Sequence, residues 1–224
     1  MTMAFRAAIF DLDGVLVDSA RLHFVAWKRI ADELGVPFTE HDNEALKGVD
    51  RMGSLEHILT LGGLVRTPAE KDDLAARKNG YYLQALETMG DSDVLPGATA
   101  LLAAARDAGL ALAVASASRN ATTVLARAGL LDTFDFVADA GKVARSKPAP
   151  DIFLACADAL AIQPAACVGF EDAAAGVAAI KAAGMIAIGI GAPAMLGAAD
   201  RVFASTAAVD LPAVLRLAPP VAQV

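Results

Sequence analysis

The chain has only two cysteines, Cys156 and Cys167, each inside an apolar segment and in no CxxC or zinc-ligand spacing. That argues against a disulfide framework or a cysteine-bound metal, and both read as buried, reduced thiols. Positive charge is also scarce. Nineteen Lys and Arg against 26 Asp and Glu give a formal net charge of −7, which leaves no basic face for nucleic acid. Long apolar runs are missing too, although the mean hydropathy is +0.48. The most membrane-like uncharged stretch, residues 182–199, is interrupted by Gly184, Gly189, Gly191, Pro193 and Gly197. A membrane helix of about 20 apolar residues does not carry so many breakers, so the stretch reads as a buried strand over 185–190 between two turns. The first acid, Asp11, comes before any apolar core of signal-peptide length, and the chain reads as cytoplasmic with no membrane partner.

What is present points to a packed α/β protein. Of the 224 residues 52 are Ala, so much of the 56% hydrophobic share comes from small helix formers, and the chain is too apolar for disorder. The length suits one large domain or a core with a modest insertion. Residues 5–10 read as a buried strand ending at Asp11. His23, Trp27, Ile30 and Leu34 then share one helix face that Gly35 closes. Further helices are expected near 54–61 and 70–88, with no convincing strand between 18 and 93. From residue 95 the chain alternates, with helices over 98–108, 120–128, 151–160 and 173–183. Strands fall over 110–115, 134–138, 166–170 and 185–190, with another candidate at 202–204. Alternation of this kind implies βαβ units and a parallel, Rossmann-like sheet covered on both faces. The expected organisation is an α/β core from 1–17 and 94–224, split by a helical cap domain at 18–93. Residues 218–224 read as a frayed end.

Ligands of parallel α/β sheets bind at the carboxyl ends of the strands. The polar residues just past each expected strand are Asp11 and Asp13, then Ser116 and Ser118, then Glu171 and Asp172, with Lys147 preceding a helix. Four carboxylates brought together need a cation, and hard oxygen donors favour Mg²⁺, which attracts phosphate oxygens. Lys147 and backbone N–H groups near Ser116 suit the remaining phosphate charge.

The segment Phe10-Asp11-Leu12-Asp13-Gly14-Val15-Leu16 resembles the nucleophile motif of the haloacid dehalogenase superfamily. Ser116, Lys147-Pro148 and Glu171-Asp172 match its three other motifs in order. A dehalogenase proper lacks the second aspartate, so Asp13 points to the phosphoryl-transfer branch. Nearly the whole chain is similar to the sugar-phosphate mutases of that superfamily. The similarity runs through Asp18-Ser19 with His23, Ala26-Trp27-Lys28, Leu46-Lys47-Gly48-Val49 with Arg51 and Ser54, and Arg77-Lys78-Asn79. It continues through 115–120 and 146–153. Asp50 stands where serine is usual in that family, and Arg119 where lysine is usual.

This resemblance implies an α/β core of the superfamily type with an inserted helical cap, and the following roles. Asp11 is the nucleophile that becomes an aspartyl phosphate, and Asp13 the general acid and base. Mg²⁺ sits on Asp11, the Asp13 carbonyl and Asp172, with Glu171 close by. Ser116 and Lys147 hold the transferring phosphate, while Arg51, Ser118, Arg119 and Asn120 hold the distal one. Ser19, His23, Trp27, Lys47, Gly48, Val49, Ser54, Lys78 and Ala117 complete the expected substrate site. The implied reaction interconverts β-D-glucose 1-phosphate and D-glucose 6-phosphate through the 1,6-bisphosphate. A phosphatase of sugar phosphates or phosphoglycolate is the alternative, since water can replace the sugar hydroxyl as acceptor. A non-catalytic phosphosugar-binding protein fits less well, because all four motifs are intact. Considered apart from the resemblance, His23 and Trp27 also fit a packed core pair, and Lys47, Arg51 and Lys78 also fit solvated surface cations. Nothing in the sequence demands more than a monomer.

Overall fold

The computed structural model describes residues 5–218. Beyond Ala218, the end expected to fray lies outside the described residues. Six strands form one parallel sheet: β1 (Ala7–Phe10), β2 (Ala111–Val114), β3 (Phe136–Val137), β4 (Cys167–Glu171), β5 (Ile186–Ile190) and β6 (Arg201–Phe203). Their order is β3-β2-β1-β4-β5-β6. In chain order four helices, α1 (Ala20–Glu33), α2 (Glu40–Glu44), α3 (Arg51–Leu61) and α4 (Pro68–Leu86), follow β1. Then come α5 (Ala98–Asp107), α6 (Ala121–Arg127), α7 (Asp151–Ala159), α8 (Ala174–Ala182), α9 (Pro193–Leu196) and α10 (Leu211–Val214).

Strand side chains alternate between faces, so the sheet separates two apolar layers. Ala8, Phe10, Val114 and Phe170 belong to one layer, with α5 and α6, while Ala7, Ile9, Ala113 and Cys167 belong to the other, with α7 and α8. Phe10 and Phe170 stack at 4.7 Å between ring centroids, which fixes β1 against β4 where both strands end. Both thiols are free and buried; burial pushes Cys156 up to about 12 and Cys167 to about 11, which makes them poor nucleophiles. Among the described residues no helix is long and apolar enough to cross a membrane.

The helices α1 to α4 build a separate core around Trp27, Ile30, Phe38, Leu55, Ile58 and Leu59. Two adjacent passes of chain connect this helical insert to the sheet. Asp18 N–H donates to the Asp93 carbonyl at 2.8 Å, Leu95 N–H donates to the Leu16 carbonyl at 2.9 Å, and Val17 bridges Val94 antiparallel. The expected helices at 54–61 and 70–88 are α3 and α4. Their starts lie a few residues earlier than periodicity placed them, because caps rather than apolar spacing define them: Asp50 caps α3, and Thr67 with Glu70 forms a capping box ahead of Pro68. The five-residue α2 is too short for a periodic signal, and its Thr39–Asp42 capping box defines it instead.

Candidate active site

Strand order reverses at β1, from which the chain runs outward to β2 and β3 on one side and β4, β5 and β6 on the other. The crevice beyond the strand ends at such a switch point is where open α/β sheets bind ligands. Asp11 follows β1, Ser116 lies two residues past β2, and Glu171 ends β4 with Asp172 next. Lys147 arrives from the loop before α7, is 3% exposed, and donates to Asp11 Oδ1 at 2.5 Å and Glu171 Oε2 at 2.8 Å. Burial alone lowers a lysine, but the charges of Asp11 and Glu171 outweigh it and hold Lys147 above its ordinary value.

Two glycines make this packing possible. Gly14 has φ +84°, and a Cβ there would lie 2.3 Å from the Asp172 carboxylate. A Cβ on Gly176, in the first turn of α8, would lie 1.9 Å from Glu171 Oε2. Each is therefore the only residue type that lets its carboxylate stand where it does. Glu171 is wholly buried, and its other oxygen accepts from Ala173 N–H at 3.1 Å. Both of its oxygens are thus committed within the protein, whereas the oxygens of Asp172 accept no hydrogen bond from another described residue.

Oxygens of Asp11, Glu171 and Asp172 all lie within 4.8 Å of one another. Burial and the charge of Asp11 push Glu171 and Asp172 up from the ordinary carboxylate range. An all-oxygen donor set crowded with like charge fits a small, hard dication. Asp13 lies just past the strand and faces the cavity. Its Oδ1 accepts from Ser19 Oγ and its Oδ2 lies 3.4 Å from Ser116 Oγ. Burial and Asp11 raise Asp13 to about 6, against the lowering effect of Ser19, Lys147 and Lys78. Ser19 occupies the N-cap position of α1, yet its side chain caps nothing there and is given to Asp13 instead.

The helical insert supplies the opposite wall of a cavity of about 470 Å³. Asp11, Asp13 and Asp172 line it from the sheet side, with Ala117, Ser118 and Arg119. His23, Trp27, Lys47, Gly48, Val49, Arg51, Ser54 and Lys78 line it from the insert. Ser19, Ser116, Asn120, Lys147 and Glu171 adjoin these lining residues. Lys78 Nζ lies 2.8 Å from His23 Nδ1 and 4.8 Å from the Trp27 ring centroid. When Lys78 is protonated it can only donate, and His23 then accepts at Nδ1; His23 Nε2 lies 3.7 Å from Asp13 Oδ1. Burial first, then Lys78 and Arg51, hold His23 well below its ordinary value, in the neutral form.

Burial and Arg51 push Lys78 down to about 7, with Asp13 opposing. Between pH 7 and its ordinary value of 10.5, the unfolded chain therefore holds more protons than the folded one, and stability rises with pH. Urea unfolding is expected to show a steeper rise for wild type than for Lys78→Met across that window. Equal slopes would assign the proton to another group.

Three contributors are invisible to sequence periodicity. Asn79 Oδ1 accepts from Arg51 Nη2 at 2.7 Å and from Asn120 Nδ2 at 2.9 Å, joining insert to sheet domain. Tyr82 places its ring 4.0 Å from that of His23. Ser146 donates to Asp50 Oδ2, and Oδ1 of Asp50 accepts from Met52 and Gly53 N–H at 2.8 and 2.9 Å. Burial raises Asp50, but the hydrogen bond from Ser146, those from the start of α3 and the charge of Arg119 bring it below its ordinary value. The Arg77-Lys78-Asn79 match is the sequence signal for Asn79, but it assigned that residue no role, and periodicity does not separate it from the other polar residues of α4.

A parallel sheet with this carboxylate–lysine cluster at its switch point, closed by a helical insert, defines a phosphoryl-transfer type of α/β enzyme. The chain belongs to the haloacid dehalogenase-like hydrolase family, whose model matches residues 5–184. It is 43% identical over 208 residues to the beta-phosphoglucomutase of Bacillus subtilis (strain 168), covering 92% of each chain. It is 31% identical over 186 residues to the fructose-1-phosphate phosphatase YqaB of Escherichia coli (strain K12), covering 83% of this chain and 96% of that one. The crystal structure of a beta-phosphoglucomutase from Clostridium difficile superposes with a TM-score of 0.91 at 40% identity, covering 94% of this chain and 95% of that one.

Proposed function

We propose that the chain is a phosphomutase interconverting β-D-glucose 1-phosphate and D-glucose 6-phosphate through the 1,6-bisphosphate, with residues 18–93 as its cap. The observation that carries this is one cavity lined both by Asp11 and Asp13 and by the cations Arg51 and Arg119. A substrate with a phosphate at each end of a sugar needs such a second anion site; hydrolysis of a monophosphate does not. The 43% identity to a beta-phosphoglucomutase supports the same reading.

In this mechanism an Asp11 oxygen attacks phosphorus, the bond to the sugar oxygen breaks, and Asp13 gives its proton to that leaving oxygen. In the second half-reaction Asp13 takes the proton from the other sugar hydroxyl, which attacks the aspartyl phosphate and frees Asp11. Ser19 and Ser116 orient Asp13 for both directions. Lys147, held by Glu171, offsets the charge gathering around Asp11, and Ser116 stands beside it. Mg²⁺ would be held by Asp11, Asp172 and the Asp13 carbonyl, with Glu171 behind them, and supplies charge neutralisation to the phosphoryl oxygens when bound. Arg51, Arg119, Ser118 and Asn120 bind the distal phosphate, and His23, Trp27, Lys47, Gly48, Val49, Ser54, Lys78 and Ala117 enclose the sugar. The intermediate must reverse end for end, so each phosphate site accepts either end. A monomeric, cytoplasmic enzyme without nucleic-acid or membrane partners completes the reading.

NMR of β-glucose 1-phosphate with enzyme, Mg²⁺ and catalytic bisphosphate tests it. Glucose 6-phosphate without comparable inorganic phosphate is expected; stoichiometric phosphate would favour the phosphatase reading, as the E. coli relative's name suggests. Arg51→Ala is expected to lower mutase kcat/KM roughly 10- to 100-fold, since a charge-assisted contact is worth about 1.5–3 kcal/mol. Hydrolysis of a small acyl phosphate, which has no distal group, should be nearly unchanged. Equal losses in both assays would point to misfolding instead.

A further inference from the structure

We propose that Asp50 is a positioning residue that ties the start of helix α3, which carries Arg51, to the core loop of Lys147, so that the two close on the substrate as one unit. Its two oxygens serve opposite sides of the cleft. Oδ1 accepts from the first turn of α3 at Met52 and Gly53 N–H, while Oδ2 accepts from Ser146 Oγ, one residue before Lys147. A serine at an N-cap can satisfy the helix, but it has one short hydroxyl and cannot also span the cleft. The carboxylate therefore does something the helix start alone does not require. Opening the cap breaks a charge-assisted hydrogen bond, whereas closing it sets Arg51 and Lys147 in register across the same cavity. Both Asp50 and Ser146 line that cavity and are half-buried, so the bond is shielded from water only when the cleft is shut. On the mutase reading, on which this rests, a firmly shut cleft keeps water from the aspartyl phosphate until the sugar hydroxyl arrives.

The test is a double-mutant cycle with Asp50→Ser and Ser146→Ala, read as inorganic phosphate released per isomerisation. Asp50→Ser keeps a helix cap, and Ser146→Ala leaves the cap untouched, so both should melt near wild type. Each single variant is expected to raise the ratio roughly 10-fold, the scale of one charge-assisted hydrogen bond. The double variant should be no worse than either single, because both remove the same bond. A normal ratio in Ser146→Ala, or losses that multiply in the double variant, would overturn the proposal and leave Asp50 as a helix cap. Isomerisation by the wild type is scored separately. Should it fail, the mutase reading falls, and the same non-additivity is then expected in KM for β-glucose 1-phosphate hydrolysis; multiplicative effects there would overturn the anchor too.

Discussion

Asp11→Asn is expected to give a folded protein with no measurable turnover. An amide cannot form the acyl phosphate, and among the described residues no other carboxylate stands directly at the end of β1 beside Lys147. Folding should survive for an electrostatic reason. Asp11 shares its surroundings with Glu171 and Asp172, which it pushes up, so neutralising it relieves repulsion among buried acids. Lys147 keeps Glu171 as its partner. A melting temperature at or above that of wild type, with phosphoenzyme absent by intact-mass spectrometry, is the expected pair of results. Appreciable turnover by a verified variant would mean that another group is the nucleophile.

Asp13→Asn should cost about 10²-fold or more in kcat, the usual scale for a lost general acid–base group. Mg²⁺ affinity should change little, because only the backbone carbonyl of Asp13 is assigned to the metal. Asp172→Ala should do the reverse, chiefly weakening Mg²⁺ binding, since its oxygens accept no hydrogen bond from another described residue. A Mg²⁺ titration of both variants separates the roles, and the opposite pattern would exchange them. Ser19 sharpens the expectation: its hydroxyl is held on Asp13 rather than on the helix it begins, so the carboxyl is aimed before substrate arrives.

The sheet was legible because its strands are buried on both faces and read as short apolar runs that end in acids. Each expected strand lies within a few residues of an observed one, and the expected strand-free stretch is the helical insert. The carboxylate–lysine cluster was legible for the same reason, since strand ends name their own polar residues. Pairings across the cleft were not. Asn79 and Ser146 reach their partners from parts of the chain far apart in sequence, and no periodicity encodes which polar residues of two separate units will meet. Asp50 shows the limit well. As a residue type it departs from the family pattern, but its use depends on where Ser146 stands. Glu171 shows a role that proximity alone did not reveal: it belongs to the acidic cluster with Asp11 and Asp172, and its oxygens also accept from Lys147 Nζ and Ala173 N–H, so it supports the lysine as well.

The two chain passes joining the insert to the sheet domain have a mechanical consequence. Because Leu16 to Asp18 and Asp93 to Leu95 are hydrogen-bonded side by side, they behave as a narrow ribbon rather than two independent tethers. A ribbon bends readily across its flat face and resists shear between its edges, so a displacement of the insert relative to the sheet would be confined to a swing about one axis. Any movement of the wall bearing Arg51, Lys78 and Trp27 would then follow one arc. Such a restriction lets a site assembled from two bodies recover its alignment at each turnover without searching for it.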